Sequence, residues 1–108
     1  MSDITRQLKI KTGSVKRLCK ELVMYRKEQL QHEQRLQEIR QAGSEPHKIK
    51  HQENVVAEAR AVVPDTRERL ETATLELEGL IATAKEGPEL AAAKESLQQA
   101  ALALEPEQ

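Results

Sequence analysis

An apolar stripe with helical spacing runs through the first third of the chain and limits the fold more than any other feature. Steps of four and three residues from Ile4 to Ile39 pass through 11 positions, and eight of them are apolar. A 38% apolar content would give about four by chance. Because this spacing puts side chains on one helical face, it predicts one helix over about residues 3–42. The stripe comprises Ile4, Leu8, Lys11, Val15, Leu18, Leu22, Tyr25, Gln29, His32, Leu36 and Ile39.

A second stripe begins after a short turn. Gly43 suits the residue that ends a helix, and Pro46 is tolerated in a first helical turn. Nine of the next 11 stripe positions are apolar, which predicts a second helix over about residues 45–86. Two long helices joined by so short a turn lie antiparallel. The positions are Ile49, Gln52, Val56, Ala59, Val63, Thr66, Leu70, Ala73, Leu77, Leu80 and Ala84.

Pro64 lies in the middle of the second stripe. A proline there removes one backbone hydrogen bond and clashes with the carbonyl four residues earlier, so a kink or a loop is expected. The stripe continues from Val56 to Leu70 without a change of register, which an intervening loop would not preserve. We therefore predict one helix kinked at Pro64, with two separate helices as the alternative.

The third helix is predicted from Pro88 to about residue 104, after a break at Gly87. The chain has one aromatic residue, Tyr25, so a thick core of large rings is not available. Thin aliphatic contacts between long helices are the remaining way to bury apolar surface. The sequence predicts an all-α fold with residues 1–108 as one domain, an elongated antiparallel three-helix bundle of coiled-coil character.

The charge distribution is uneven although the net charge is −1. Residues 1–42 carry ten Lys or Arg and five Asp or Glu, while residues 43–86 carry six and nine, and residues 87–108 carry one and four. The positive charge is densest in LKIKTGSVKRLCKELVMYRKE at residues 8–28. Two interpretations follow: pairing of the basic helix with its own acidic neighbours, or attraction of an acidic protein partner.

Motifs for catalysis, cofactors and metals have little support. The sequence contains no GxxxxGK[ST], GxGxxG or GxSxG. Cys19 lies beside Leu18 and Leu22 of the apolar stripe and has no nearby histidine base, so we interpret it as a core residue. His47 and His51 share a helical face, but no further ligand is close in sequence, and a solvated face is the favoured interpretation. We predict a protein that is not an enzyme and has no cofactor or metal.

Nucleic acid and membrane are also disfavoured as partners. The basic residues could contact phosphates, but no aromatic residue other than Tyr25 could stack on bases. No window approaches 18 consecutive apolar residues, and the first 30 residues are charged throughout, so neither a membrane span nor a signal peptide is expected. A single cysteine fits a reducing compartment, which predicts a cytoplasmic location.

Two stretches together resemble one known family. LKIKTGSVKRLCKELVMYRKE at 8–28 and VPDTRERLETATLEL at 63–77 resemble the two typical segments of the tubulin-binding cofactor A family. The resemblance implies a three-helix bundle that captures β-tubulin folding intermediates after the cytosolic chaperonin, without nucleotide or cofactor. It also implies a cytoplasmic, cytoskeleton-associated protein with the other tubulin-folding cofactors as indirect partners. The family includes monomers and dimers, so a homodimer is one of the states it allows.

The resemblance also implies which residues bind the partner. We expect four basic residues to steer an acidic client, Tyr25 to anchor it, and Pro64 with Asp65 to set the bend that shapes the face. The steering residues are Lys9, Lys16, Arg17 and Lys20. Ser14 and Cys19 stand where the family usually has aliphatic residues. The alternatives are a structural coiled-coil module that self-associates or binds another helical protein, and a polyanion binder. The predicted β-tubulin-binding residues are Lys9, Lys11, Lys16, Arg17, Lys20 and Tyr25 in the first segment, and Pro64, Asp65, Arg67 and Arg69 in the second.

Overall fold

The computed structural model describes residues 2–106, which form three α-helices in sequence order. They are α1 (Asp3–Gln41), α2 (Pro46–Ile81) and α3 (Pro88–Ala103). No strand occurs within residues 2–106. The predicted all-α fold with three helices is therefore confirmed.

Local hydrogen bonds explain where α1 begins and ends. The Ser2 hydroxyl accepts from the Thr5 amide at 3.1 Å, which satisfies one of the free amides of the first turn. At the other end, Gly43 has a positive φ of 70°, where a side chain would be strained. The Ser44 amide then donates to the Ile39 carbonyl at 3.0 Å and closes the helix end.

The helix α2 continues through Pro64 without interruption. The prediction of one helix is thus confirmed, and the alternative of two separate helices is wrong. Pro64 is exposed, so its missing amide hydrogen lies on the solvent side, where the loss of one helical bond costs least. The kink itself stays a prediction.

The end of α2 differs from the prediction. The helix ends at Ile81, whereas the apolar stripe predicts helix to about residue 86. The amides of Thr83 and Ala84 donate to the carbonyls three residues earlier, so the chain tightens into a turn after Ile81. Ala84 nevertheless packs against the core from this turn. The stripe therefore continued past the helix because the turn also buries an apolar residue.

The core is divided into two parts. The main cluster combines all three helices through aliphatic residues, among them the fully buried Leu22, Leu70 and Ala100. The second cluster joins Leu36, Ile39 and Val56 of α1 and α2 only. The helix α3 therefore covers one half of the bundle. We refer to residues 29–41 of α1 and 46–62 of α2 as the two-helix arm.

The resulting molecule is a rod of 61 × 23 × 16 Å. Its radius of gyration is 18.8 Å, compared with about 13 Å for a compact chain of this length. The helix α3 runs parallel to α1 and antiparallel to α2, because Pro88 lies near Lys9 while the Ala103 carbonyl meets Arg26. The predicted elongated antiparallel bundle is confirmed.

Polar contacts accompany the small apolar cluster of the two-helix arm. Arg40 pairs with Glu53 at 2.8 Å, and the Gln52 amide donates to the His32 carbonyl at 3.0 Å. Glu33 accepts from the Gln29 amide at 2.7 Å and lies 3.5 Å from Arg60. The hydrogen bond from Gln29, followed by that from Arg60, lowers the pKa of Glu33. The side-chain contact to Glu33 accounts for the polar residue Gln29 in the first stripe.

Leu70→Asp tests the main cluster, since Leu70 is fully buried. An unpaired charge there is expected to lower the free energy of unfolding by roughly 4 kcal/mol or more, and the variant should lose helicity in far-UV circular dichroism. Leu75→Asp is the matched control because Leu75 is 68% exposed, and it should stay folded. A folded Leu70→Asp variant would contradict the assignment of the core.

Glu33→Gln tests the arm through its pH dependence. Because the folded pKa of Glu33 lies below the ordinary value of about 4.3, the carboxylate stabilises the fold above that pH. This contribution is lost as the pH falls through the folded pKa. The wild type should melt at a higher temperature than the variant at neutral pH, and the two should converge in acid. A melting difference that does not change with pH would argue against the contact.

Candidate functional site

The basic residues of α1 lie on two sides of the helix. Lys9, Lys16, Lys20 and Lys27 are separated by seven, four and seven residues and form one row, which we call the lysine row. The lysine row lies on the side of α1 that faces α3, where all four line clefts between the two helices. Lys11 and Arg17 lie instead on the side that faces α2.

The charges on the α2 side are largely neutralised within the molecule. A cleft of about 450 Å³ between α1 and α2 is lined by basic and acidic side chains together. Lys11 forms a salt bridge with Glu76, and Arg69 lies 3.3 Å from Asp65. Arg17 is 3.7 Å from Glu21 on its own helix and remains mostly exposed. The interpretation of intramolecular pairing therefore applies to this side.

The charges of the lysine row, unlike those on the side facing α2, are not neutralised by ion pairs among the described residues. Within the part of the chain that the structure describes, none of its four lysines makes an ion pair. All four are exposed. Exposed apolar side chains accompany them, with Val23 59% and Met24 46% exposed in the same cleft as Lys20 and Lys27. Unpaired positive charge beside exposed apolar surface is suited to binding an acidic protein.

Arg67 has a structural contact that the sequence did not indicate. Its guanidinium donates to the Leu104 carbonyl at the end of α3, while Arg26 of α1 donates to the Ala103 carbonyl at 2.6 Å. The last turn of α3 contains no basic residue, so these two arginines supply the positive charge that a helix carboxyl end favours. The absence of a basic residue from the last turn of α3 was a signal in the sequence that another helix would supply the positive charge. The sequence alone does not show which residue supplies it.

The other predicted site residues are distributed along the rod. Tyr25 is half-buried, so it offers a partner less than the full surface expected of an exposed anchor. Pro64 and Asp65 are exposed on α2, and Asp65 lines the cleft between α1 and α2. The structure therefore brings Lys9, Lys16 and Lys20 together in one row, and it brings Lys11, Arg17, Asp65 and Arg69 together in the α1–α2 cleft.

The residues that could act as a nucleophile or as metal ligands lie in environments that do not favour these roles. Cys19 is buried, and this burial raises the pKa of its thiol, which disfavours the reactive thiolate. His47 is exposed and lies 3.2 Å from Glu45. Residues 2–106 contain no group of three or more His, Cys, Asp or Glu placed to hold a metal ion. In the same residues, we find no helix with the length and apolarity needed to span a membrane.

The fold places the chain in the class of elongated three-helix bundles, and a row of exposed lysines lies along one of its sides. Residues 3–104 match the sequence model of the family described as tubulin binding cofactor A. The chain belongs to this family, which confirms the resemblance seen in the two sequence segments.

Individual relatives are similar over most of their length. The tubulin-specific chaperone A of Homo sapiens is 43% identical over 91 residues, which cover 84% of each chain. The tubulin-folding cofactor A of Arabidopsis thaliana is 39% identical over 97 residues, covering 85% of this chain and 86% of the relative. The crystal structure of tubulin folding cofactor A from Arabidopsis thaliana superposes with a TM-score of 0.83 at 37% identity, covering 92% of this chain and 96% of that one.

Arg67→Met tests the attachment of α3. Loss of the hydrogen bond to the Leu104 carbonyl should destabilise the end of α3 by about 1 kcal/mol and speed amide hydrogen exchange in that helix. Arg69→Met is the matched control, because the Arg69 side chain is 69% exposed and pairs only with Asp65 one turn away. Equal exchange in α3 for both variants would contradict the structural role of Arg67.

Proposed function

We propose that this chain is a non-catalytic tubulin-folding cofactor that captures β-tubulin folding intermediates and holds them for heterodimer assembly. Membership of the tubulin binding cofactor A family supports this proposal, as do the names of its relatives. The observation that carries it is the lysine row, which is free of ion pairs within residues 2–106 and lies beside exposed apolar side chains. This combination favours an acidic client that still exposes apolar surface.

The proposed mechanism is capture on a rigid surface. Positive charge on the lysine row attracts the client from a distance and raises the rate of encounter. The exposed side chains of Val23 and Met24 then cover apolar client surface that would otherwise aggregate. The steering residues are Lys9, Lys16 and Lys20 of the lysine row, together with Arg17 on the adjoining face.

The remaining residues of the proposed site contribute mainly to the structure of the binding surface and less to attraction of the client. Lys11 and Arg69 are engaged with acidic neighbours, and Arg67 holds the end of α3. Pro64 and Asp65 would set the bend that shapes the binding face, and Tyr25 would add a half-buried contact. A cytoplasmic, cytoskeleton-associated location and indirect links to the other tubulin-folding cofactors follow from the proposed client.

A pull-down with tubulin released from chaperonin tests client and specificity together. The immobilised chain should retain β-tubulin and should retain α-tubulin much less. The alternative of a structural coiled-coil module predicts the opposite behaviour: a concentration-dependent oligomer in light scattering and no retention of either tubulin. Equal retention of α- and β-tubulin would contradict the proposed specificity.

Charge reversal tests the steering role. The double variant Lys16→Glu/Arg17→Glu should abolish β-tubulin capture while helicity stays intact, because both side chains are exposed. Lys48→Glu/Lys50→Glu makes the same change in net charge at exposed positions on the two-helix arm and should capture normally. Unchanged capture by the first variant would rule out steering by these residues.

A further inference from the structure

Two clefts lie end to end between α1 and α3. One has a volume of about 310 Å³ and is lined by Lys9, Lys16 and the first turn of α3. The other is about 750 Å³ and is lined by Lys20, Lys27 and the last turn of α3. We call the two together the α1–α3 groove. The lysine row forms one edge of this groove along its whole length.

The floor of the groove is apolar. Val23 and Met24 of α1 face it together with Leu102 of α3, which is 67% exposed. At the other end, Ala92 and the ring of Pro88 provide apolar surface beside Gly13, where a side chain is absent. The groove between α1 and α2 lacks this character, because paired charges line it.

The dimensions and the backbone chemistry favour a helical ligand. From Lys9 to Lys27 the groove follows 18 residues of α1, or about 27 Å at 1.5 Å per residue. Its walls are α-helices, whose amides and carbonyls already bond within each helix, so an extended peptide would find few backbone partners. A helix satisfies its own backbone and would pack here as the fourth member of a bundle.

The charges along the groove indicate which residue types the bound helix should carry. Four lysines without ion pairs along one edge favour Asp or Glu on the facing flank of the ligand. In the described chain, Glu89 is the acidic side chain that lines the groove, at the end nearest Pro88. Nucleic acid suits the groove poorly, because no aromatic side chain lines it and phosphates would lie against Val23 and Leu102.

We propose that the α1–α3 groove binds an acidic amphipathic helix of the client, about five turns long, with its apolar face on Val23, Met24 and Leu102 and its acidic flank along the lysine row. This inference rests on the proposed function, since it names the part of the client that the cofactor holds. It also assigns α3 a direct task, because α3 forms one wall of the groove.

Photo-crosslinking locates the client on the intact chain. A benzoylphenylalanine at Val23 or at Leu102 should crosslink to β-tubulin released from chaperonin. The same group at Leu30 or at Leu75 should not, although these side chains are 61% and 68% exposed, because neither lines the two clefts of the groove. Crosslinks confined to Leu30 and Leu75 would overturn the groove proposal while leaving capture of tubulin intact.

Binding measurements test the two components of the groove with a defined probe. The probe is a designed peptide of about 18 residues with Leu at steps of three and four and Glu beside them, compared with its scrambled sequence by fluorescence anisotropy. We expect roughly tenfold weaker binding or more for Val23→Ser/Leu102→Ser and for Lys20→Glu/Lys27→Glu. Leu30→Ser/Leu75→Ser and Lys48→Glu/Lys50→Glu are the matched controls and should bind as the wild type does.

The outcomes separate this proposal from the proposed function. If β-tubulin is captured but the groove variants behave as the controls do, the groove proposal fails and the cofactor function stands. If the peptide binds in the groove but β-tubulin is not captured, the tubulin function fails and the groove serves another acidic helical client. If the groove crosslinks only to a second copy and the groove variants abolish a dimer in light scattering, the surface is a self-association site and the proposal is wrong.

Discussion

The aliphatic contact between α1 and α2 is the constraint on which the rest of the structure depends. It consists of residues such as Leu22 and Leu70, with no large ring among the buried side chains. Such a contact is thin, so the bundle is a rod only 16 Å across its narrowest dimension. In a rod this thin, nearly all charged side chains reach the surface, and their arrangement is decided by which helix lies beside them.

That arrangement explains why some basic residues are paired and others are not. The helix α2 carries acidic residues on the flank that meets α1, and Glu76 reaches Lys11 across this contact. The helix α3 approaches α1 through small residues, including Ala93, Ser96 and Ala100, which are fully buried. Small residues bring the helices close, and among the described residues Glu89, in the first turn of α3, is the one carboxylate that lines the groove with the lysine row. The unpaired charge is therefore a consequence of how α3 packs.

The sequence predicted the helices because their spacing of three and four is a local property, and it predicted one continuous α2 because the register was kept across Pro64. It missed the end of α2, since Ala84 packs against the core, partly buried, from a turn that follows the same spacing. The sequence also did not predict which basic residues form ion pairs within the molecule and which do not. Lys11 and Glu76 are 65 positions apart, and their pairing depends on helix rotation, which composition does not encode. The same holds for Arg67 and the carboxyl end of α3.

In the proposed mode, the surface would bind its client through many weak contacts, which favours release as well as capture. Exposed charge pairs are screened by salt over about 8 Å, so each lysine contributes little to the lifetime of a complex. The apolar floor of the α1–α3 groove must then provide most of the holding energy. A client that buries its own apolar face on reaching its final assembly removes the surface that the floor contacts. In the proposed mode, completion of the client's folding is therefore itself the signal for release.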